Sequence, residues 1–133
     1  MSLTGDIKLL KQVARIVSAS TIANWNSGFA PSGAAGATLV TMGRAGAWCR
    51  LNLGVVILAG FNIAATVTVR EYMDVAGANR LVFSDDWIMP QEMAVLSWWL
   101  DSEIFGLYRV EIYSDQGVDD GLAVPYEFRI KDW

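Results

Sequence analysis

From Ala47 onward, apolar and polar residues exchange places with a period of two, the pattern of strands that bury one face and show the other to water. Val67 and Val69 alternate with Thr66, Thr68 and Arg70. Val110 and Ile112 alternate with Arg109, Glu111 and Tyr113, and Val124, Tyr126, Phe128 and Ile130 with Glu127, Arg129 and Lys131. Each stretch reads as a half-buried antiparallel strand. Between residues 69–73 and 80–83 lies "DVAGANR", whose Gly and Asn suit a hairpin turn. About seven or eight short strands with no helix between them predict an antiparallel β-sandwich of jelly-roll-like topology, with a barrel as the alternative.

The front of the chain has a different period. In residues 4–17, "TGDIKLLKQVARIV", Ile7, Leu10, Ala14 and Val17 fall on one helical stripe with Leu9, Val13 and Ile16 beside it. This predicts one short N-terminal amphipathic helix, capped by Thr4 and with Asp6 at the positive end of its dipole. Residues 26–46 are rich in Gly, Ala and Ser and predict an extended connector containing one strand, residues 37–42. The expected organisation is a helix and Gly/Ala/Ser-rich arm over 1–36, then a β-sandwich domain over 37–133. The first piece is too small to hold a core of its own.

Composition narrows the partners. Of 133 residues, 53% are hydrophobic and only 18% charged, which is more apolar than an ordinary soluble monomer. The surplus apolar surface has to face lipid or other subunits. The most apolar run, "LNLGVVILAGFNIAATVTV" over 51–69, is interrupted by Asn52 and Asn62 and passes into alternation, so it reads as two buried strands joined near Gly60 rather than a membrane span. No signal-peptide core is expected at the front, where Lys8, Lys11 and Arg15 break every apolar run. A net charge of −4 without a basic cluster leaves no electrostatic footprint for direct nucleic-acid binding. The single cysteine, Cys49, cannot make an internal disulfide and reads as a small buried hydrophobe between Trp48 and Leu51.

Candidate chemistry concentrates in "YSDQGVDDGLAVPYEF", residues 113–128, which holds Asp115, Asp119 and Asp120 in one short loop. An EF-hand would need Asp or Asn two residues after Asp115 and Gly at the sixth position, and Gly117 and Asp120 stand there instead. A turn in which the aspartates bond nearby backbone N–H groups is the favoured reading, with a looser calcium site on the same three carboxylates as the alternative. The absence of histidine excludes Ser-His and Cys-His nucleophiles, and no Gly-containing stretch matches a phosphate loop. Asp86 and Glu103 could be named as a paired-carboxylate set, but nothing in their spacing selects them. The expectation is a non-enzyme without a cofactor.

Six tryptophans remain. Trp98 and Trp99 are adjacent, so on a strand they point to opposite faces and one of them falls outside a single core. An exposed large aromatic marks a contact surface, and the expected interface residues are Trp98, Trp99, Trp87 and Trp25. A sugar-binding platform and a cover by the helix or arm are the alternatives.

Two segments carry a resemblance: "TVTVREYMDVAGANRLVF" and "YRVEIYSDQGVDDGLAVPYEFRI". Through Arg70, Tyr72 and Met73, then Ser114, Asp115, Asp119, Asp120, Gly121, Tyr126 and Glu127, residues 66–133 resemble the C-terminal β-domain of uncharacterised tailed-bacteriophage proteins. Many of those proteins have a longer, coiled-coil-like front, whereas this chain has only the short helix, so a fibre-like stalk is not implied. The resemblance implies a virion structural protein, most specifically a capsid decoration or minor capsid protein that stabilises the particle through subunit contacts. The implied partners are other virion proteins such as the major capsid protein, and the 53% hydrophobic content with six tryptophans points to the chain itself as a further partner, in a homo-oligomer with the trimer favoured. The alternative is a tail-fibre or spike domain that recognises host-surface glycan.

Overall fold

The computed structural model describes residues 13–89, 95–98 and 102–132. Among the described residues seven strands follow one another: β1 Val13–Asn24, β2 Ala37–Ile57, β3 Thr66–Val75, β4 Ala78–Ile88, β5 Val95–Trp98, β6 Ser102–Ser114 and β7 Asp120–Asp132. The only helical piece among the described residues is a single 3-10 turn, Gly117–Asp119.

All seven strands belong to one antiparallel sheet, ordered β1-β7-β2-β6-β3-β4, with β5 beside β2. The expected mainly β, antiparallel character is observed, and the described strands form one hydrogen-bonded sheet, in which the expected jelly-roll sandwich of two separate sheets is not seen; the cause is the length of β2. At 21 residues it far exceeds an ordinary strand. Along one edge it pairs with β6, from Ala37 opposite Ile112 to Leu51 opposite Ser102. Along the other it pairs with β7, from Cys49 opposite Asp132 to Val56 opposite Tyr126. One strand therefore joins what would have been two sheets. β5 continues the line of β6, with Gly54 opposite Trp98 and Ile57 opposite Val95. Register breaks at Thr38/Val40, Arg44/Trp48 and Leu51/Leu53 let β2 bend.

The last five residues of the expected N-terminal helix are corrected to strand. Residues 13–17 lie in β1, which runs antiparallel to β7 with Val13 opposite Asp132 and Val17 opposite Phe128. Residues 4–12 of the expected helix lie outside the described residues. The apolar stripe was real, but Val13, Ile16, Val17, Thr21 and Ile22 are β-branched, and an available edge on β7 satisfies their backbone groups in a ladder. Tertiary pairing overrides the helical period.

Inward positions follow the alternation. Val67, Val69, Val110, Ile112, Val124, Phe128 and Ile130 are all buried. They pack with Leu39, Val40, Met42, Leu51 and Val56 of β2, and with Trp25, Leu58, Phe61 and Met89 from the connections. The run 51–69 divides as expected, β2 ending at Ile57 and β3 starting at Thr66, with Gly60 in the join. Among the described residues no helix is long and apolar enough to cross a membrane.

The β3–β4 hairpin is tighter than the sequence suggests. Val75 stands opposite Ala78, and the two-residue loop Ala76-Gly77 has φ of +52° and +82°. Positive φ at both positions is the type I′ turn that matches the twist of its strands. Gly77 adopts it freely, whereas Ala76 places a Cβ in the left-handed region at a cost of about 1 kcal/mol. Replacing Ala76 by Asn, which tolerates that region, is expected to raise the unfolding free energy by about 0.5–1 kcal/mol in urea titration. A fall in stability would contradict this assignment of the turn.

Candidate functional site

Each carboxylate of the 113–128 loop reaches a different part of the chain. Asp115 Oδ1 accepts from the Thr66 backbone N–H at 2.9 Å, at the start of β3. Asp119, which is buried, accepts from the Asn62 N–H at 2.9 Å through Oδ1 and from the Ser114 hydroxyl at 2.6 Å through Oδ2. Asp120 Oδ1 accepts from the N–H groups of Asn26 and Ser27, at 2.8 and 3.1 Å. Asn26 in turn donates to the Ser114 carbonyl at 2.8 Å. Three carboxylates thus pin the β1–β2 connection, the β2–β3 connection and the entry to β3 against one loop. Among the described residues no three His, Cys, Asp or Glu side chains group so as to hold a metal ion.

The pH response follows from those contacts. Hydrogen bonds from Ser27, side chain first and then backbone, hold Asp120 below the ordinary aspartate value. The Leu107 N–H, followed by the Asn79 amide, does the same for Asp74, whose two oxygens tie β3 to β6 and β4. A depressed folded-state pKa contributes stability above the unfolded value and loses it as pH falls through the folded one. Burial pushes Glu71 the opposite way, partly offset by the Tyr108 hydroxyl that donates to it, so Glu71 gains stability on the same descent. The stability difference between wild type and Asp120→Asn is therefore expected to be full at neutral pH and to close below about pH 4. A gap unchanged from pH 7 to pH 2.5 in denaturant titrations would remove Asp120 from this role.

A second polar cluster lies on the outward face of β3 and β6, beneath the 27–36 arm. Glu111 has no exposed surface, although alternation placed it outward. Arg109 Nε and one terminal nitrogen converge on its Oε2, each at 2.9 Å, while Ser32 donates to Oε1 at 2.8 Å and Arg70 lies 3.4 Å from the same oxygen. Arg70 also donates to the Ala35 carbonyl at 2.6 Å, and the Arg109 guanidinium lies over the Tyr72 ring, 4.4 Å from its centroid. This cluster clamps the arm onto the sheet. Its charges face protein rather than an open cleft.

The two acids that could be named as a carboxylate pair have separate partners. Asp86, on β4, accepts from the Thr68 hydroxyl at 2.7 Å, and Glu103, on β6, pairs with Arg50 at 3.2 Å. A groove of about 610 Å³ over β1, β7 and β2 has Arg15 and Arg129 as its ionisable lining, and Arg129 is paired with Glu127 at 3.0 Å.

The tryptophans divide. Trp25 is fully buried: its Nε1 donates to the Leu122 carbonyl at 2.7 Å, and its ring meets Phe61 edge-on at 6.4 Å. It serves the core, not a surface. Trp87, on β4 opposite Val67, is half-buried and packs against the core. Trp98 stands opposite Gly54 on β5; its side chain and all of Trp99 lie outside the described residues. Sequence reasoning passed over Trp48, which is 51% exposed and tilted against Phe105 at 5.0 Å. The signal was present, because Trp48 has the opposite strand parity to the buried Cys49 and Leu51.

Exposed large apolar side chains occur on the connections, at Phe29, Ile63 and Val118, on inner strands, and on both edge strands. Ile16 and Ile22 on β1, and Leu81, Val82, Phe83 and Ile88 on β4, are all open to solvent.

No protein-family model matches the sequence. No curated protein matches it either. Among solved structures, the fold is similar to that of a chain in the structure of infectious bursal disease virus Gx strain, with a TM-score of 0.51 and 9% identity over 91% of this chain. This chain spans about a third of the length of that one, 32%. The likeness is one of fold.

Proposed function

We propose that this chain is a virion structural protein, most specifically a capsid decoration or minor capsid protein of a tailed bacteriophage, without catalytic activity. The observation that carries the reading is the division of surface chemistry. The acidic loop and the Glu111 cluster are turned inward to fasten loops, while Ile16, Ile22, Leu81, Phe83 and Ile88 are displayed on the sheet edges. Apolar surface left open on a domain of this size is surface for other subunits. Fold likeness to a chain from a virus structure and the resemblance of residues 66–133 to tailed-phage proteins support the same reading. Its partners are then further copies of itself and the major capsid protein.

One observation favours a second reading, recognition of host glycan by a tail domain. Trp48 and Phe105 stand opposite one another, two residues along from the Arg50–Glu103 ion pair, so an exposed aromatic surface sits beside charged hydrogen-bonding groups. Alanine variants of Trp48, Trp98 and Trp99, tested separately, distinguish the two. Capsid decoration predicts weakened incorporation into particles, with about 2 kcal/mol or more of association lost at a central aromatic. Normal incorporation of all three, with lost adsorption to cells in any one, would defeat the leading reading in favour of the second.

A further inference from the structure

Strand β4 forms one edge of the sheet and, among the described residues, pairs only with β3. Natural edges are blunted by charged side chains, above all Lys, by Pro, covering segments or bulges, because an open row of N–H and C=O groups invites another strand. β4 runs for 11 residues, contains neither Lys nor Pro, and leaves Leu81, Val82 and Phe83 open to solvent. Its one bulge, at Val82, sets the geometry of the edge.

The β3 register serves as a ruler. Arg80 stands opposite Met73, Phe83 opposite Glu71 and Asp85 opposite Val69. Met73, Glu71 and Val69 are successive positions on one face, so Arg80 and Asp85 share a face and lie equally far from Phe83, one on each side. By the same ruler Leu81, opposite Tyr72, and Ser84, opposite Arg70, are equally placed about Phe83 on the other face. The strand is thus charge-polarised about an exposed aromatic, basic towards its start and acidic towards its end. Both Arg80 and Asp85 are exposed, with local hydrogen bonds from Arg80 Nε to the Val75 carbonyl and from the Asp86 N–H to Asp85.

We propose that β4 is a self-association edge, pairing antiparallel with β4 of a second copy about a two-fold axis through Phe83. In that register each Arg80 faces Asp85 of the second copy, the two Phe83 rings meet at the axis, and Leu81 stands opposite Ser84. Shifting the register to bring Asp85 against Asp86 would oppose like charges, which costs stability. The interface is isologous, as a two-fold requires, and it favours a dimer over the trimer preferred on composition. It holds wherever the protein sits in a particle, because its test uses the isolated chain.

The test is sedimentation of the full chain and three charge variants. Wild type is expected to dimerise at tens of micromolar. Arg80→Glu and Asp85→Arg each place two like-charged pairs across the axis and should raise the dimer dissociation constant by about tenfold. The double variant should recover, and so should an equimolar mixture of the two single variants, since each copy then offers the charge that the other needs. Recovery in the mixture can arise only between chains. Circular dichroism of each variant confirms that these exposed substitutions leave the fold intact. A wild type that stays monomeric at 100 μM, single variants that associate as well as wild type, or a mixture that fails to recover would each overturn the proposal.

Discussion

Replacing Glu111 by Ala is expected to remove about 3–5 kcal/mol of stability, the usual consequence of deleting one member of a buried ion cluster. Glu111 is fully enclosed, and its carboxylate accepts from Arg109 and Ser32 and is the counter-charge of Arg70. Without it, two guanidinium groups remain largely buried beside each other with no counter-charge, and the arm loses the Ser32 anchor. A domain stabilised by about 5–15 kcal/mol loses a large part of its margin. Replacing Glu111 and Arg109 together by Met should cost less than the sum of the single changes, because no uncompensated charge at that pair is left behind. Urea titrations of the singles and the double measure this. A Glu111→Ala loss below about 1 kcal/mol would mean that water screens the cluster as it does a surface pair.

The second large effect is at Trp25. Truncation to Ala is expected to cost about 3–5 kcal/mol, since the ring is wholly buried and the residue also closes the loop after β1. Its Nε1 satisfies the Leu122 carbonyl of β7, while its own carbonyl accepts from the Ser114 N–H of β6 at 3.0 Å. Trp25→Phe keeps most of the apolar volume but loses the indole donor, so it should cost about 1–3 kcal/mol, mainly for the unsatisfied Leu122 carbonyl. If Phe proves as damaging as Ala, the hydrogen bond rather than the packing governs this site. If both are mild, the core is not organised around Trp25.

What the sequence shows and hides follows from range. Alternation marks the inward residues of β3, β6 and β7 because parity is a local property, and it also divides 51–69 into two strands. It could not show that residues 37–57 form one strand, since Gly43, Ala45 and Gly46 read as connector while serving the register break between Arg44 and Trp48. Glu111 was assigned to water for the same reason. Parity gives the face, but nothing in the period announces that residues 27–36 cover it. In the acidic loop the aspartates are visible as a cluster, yet their partners Thr66, Asn62 and Asn26 lie 49, 57 and 94 residues away. At residues 13–17 the stripe misled because a helix and an edge strand both suit its β-branched residues, and the open side of β7 decides between them.

The central claim, that this chain belongs to a virus particle as a structural component, is tested most directly by labelling. Antibody raised against the recombinant chain, coupled to gold, would be applied to purified particles from the infection that produces it and viewed by electron microscopy. The account predicts dense, regular labelling over the head and none on the tail. Label confined to the tail would contradict capsid decoration in favour of host recognition. Unlabelled particles, with the protein found only in the infected cell, would contradict a virion role altogether.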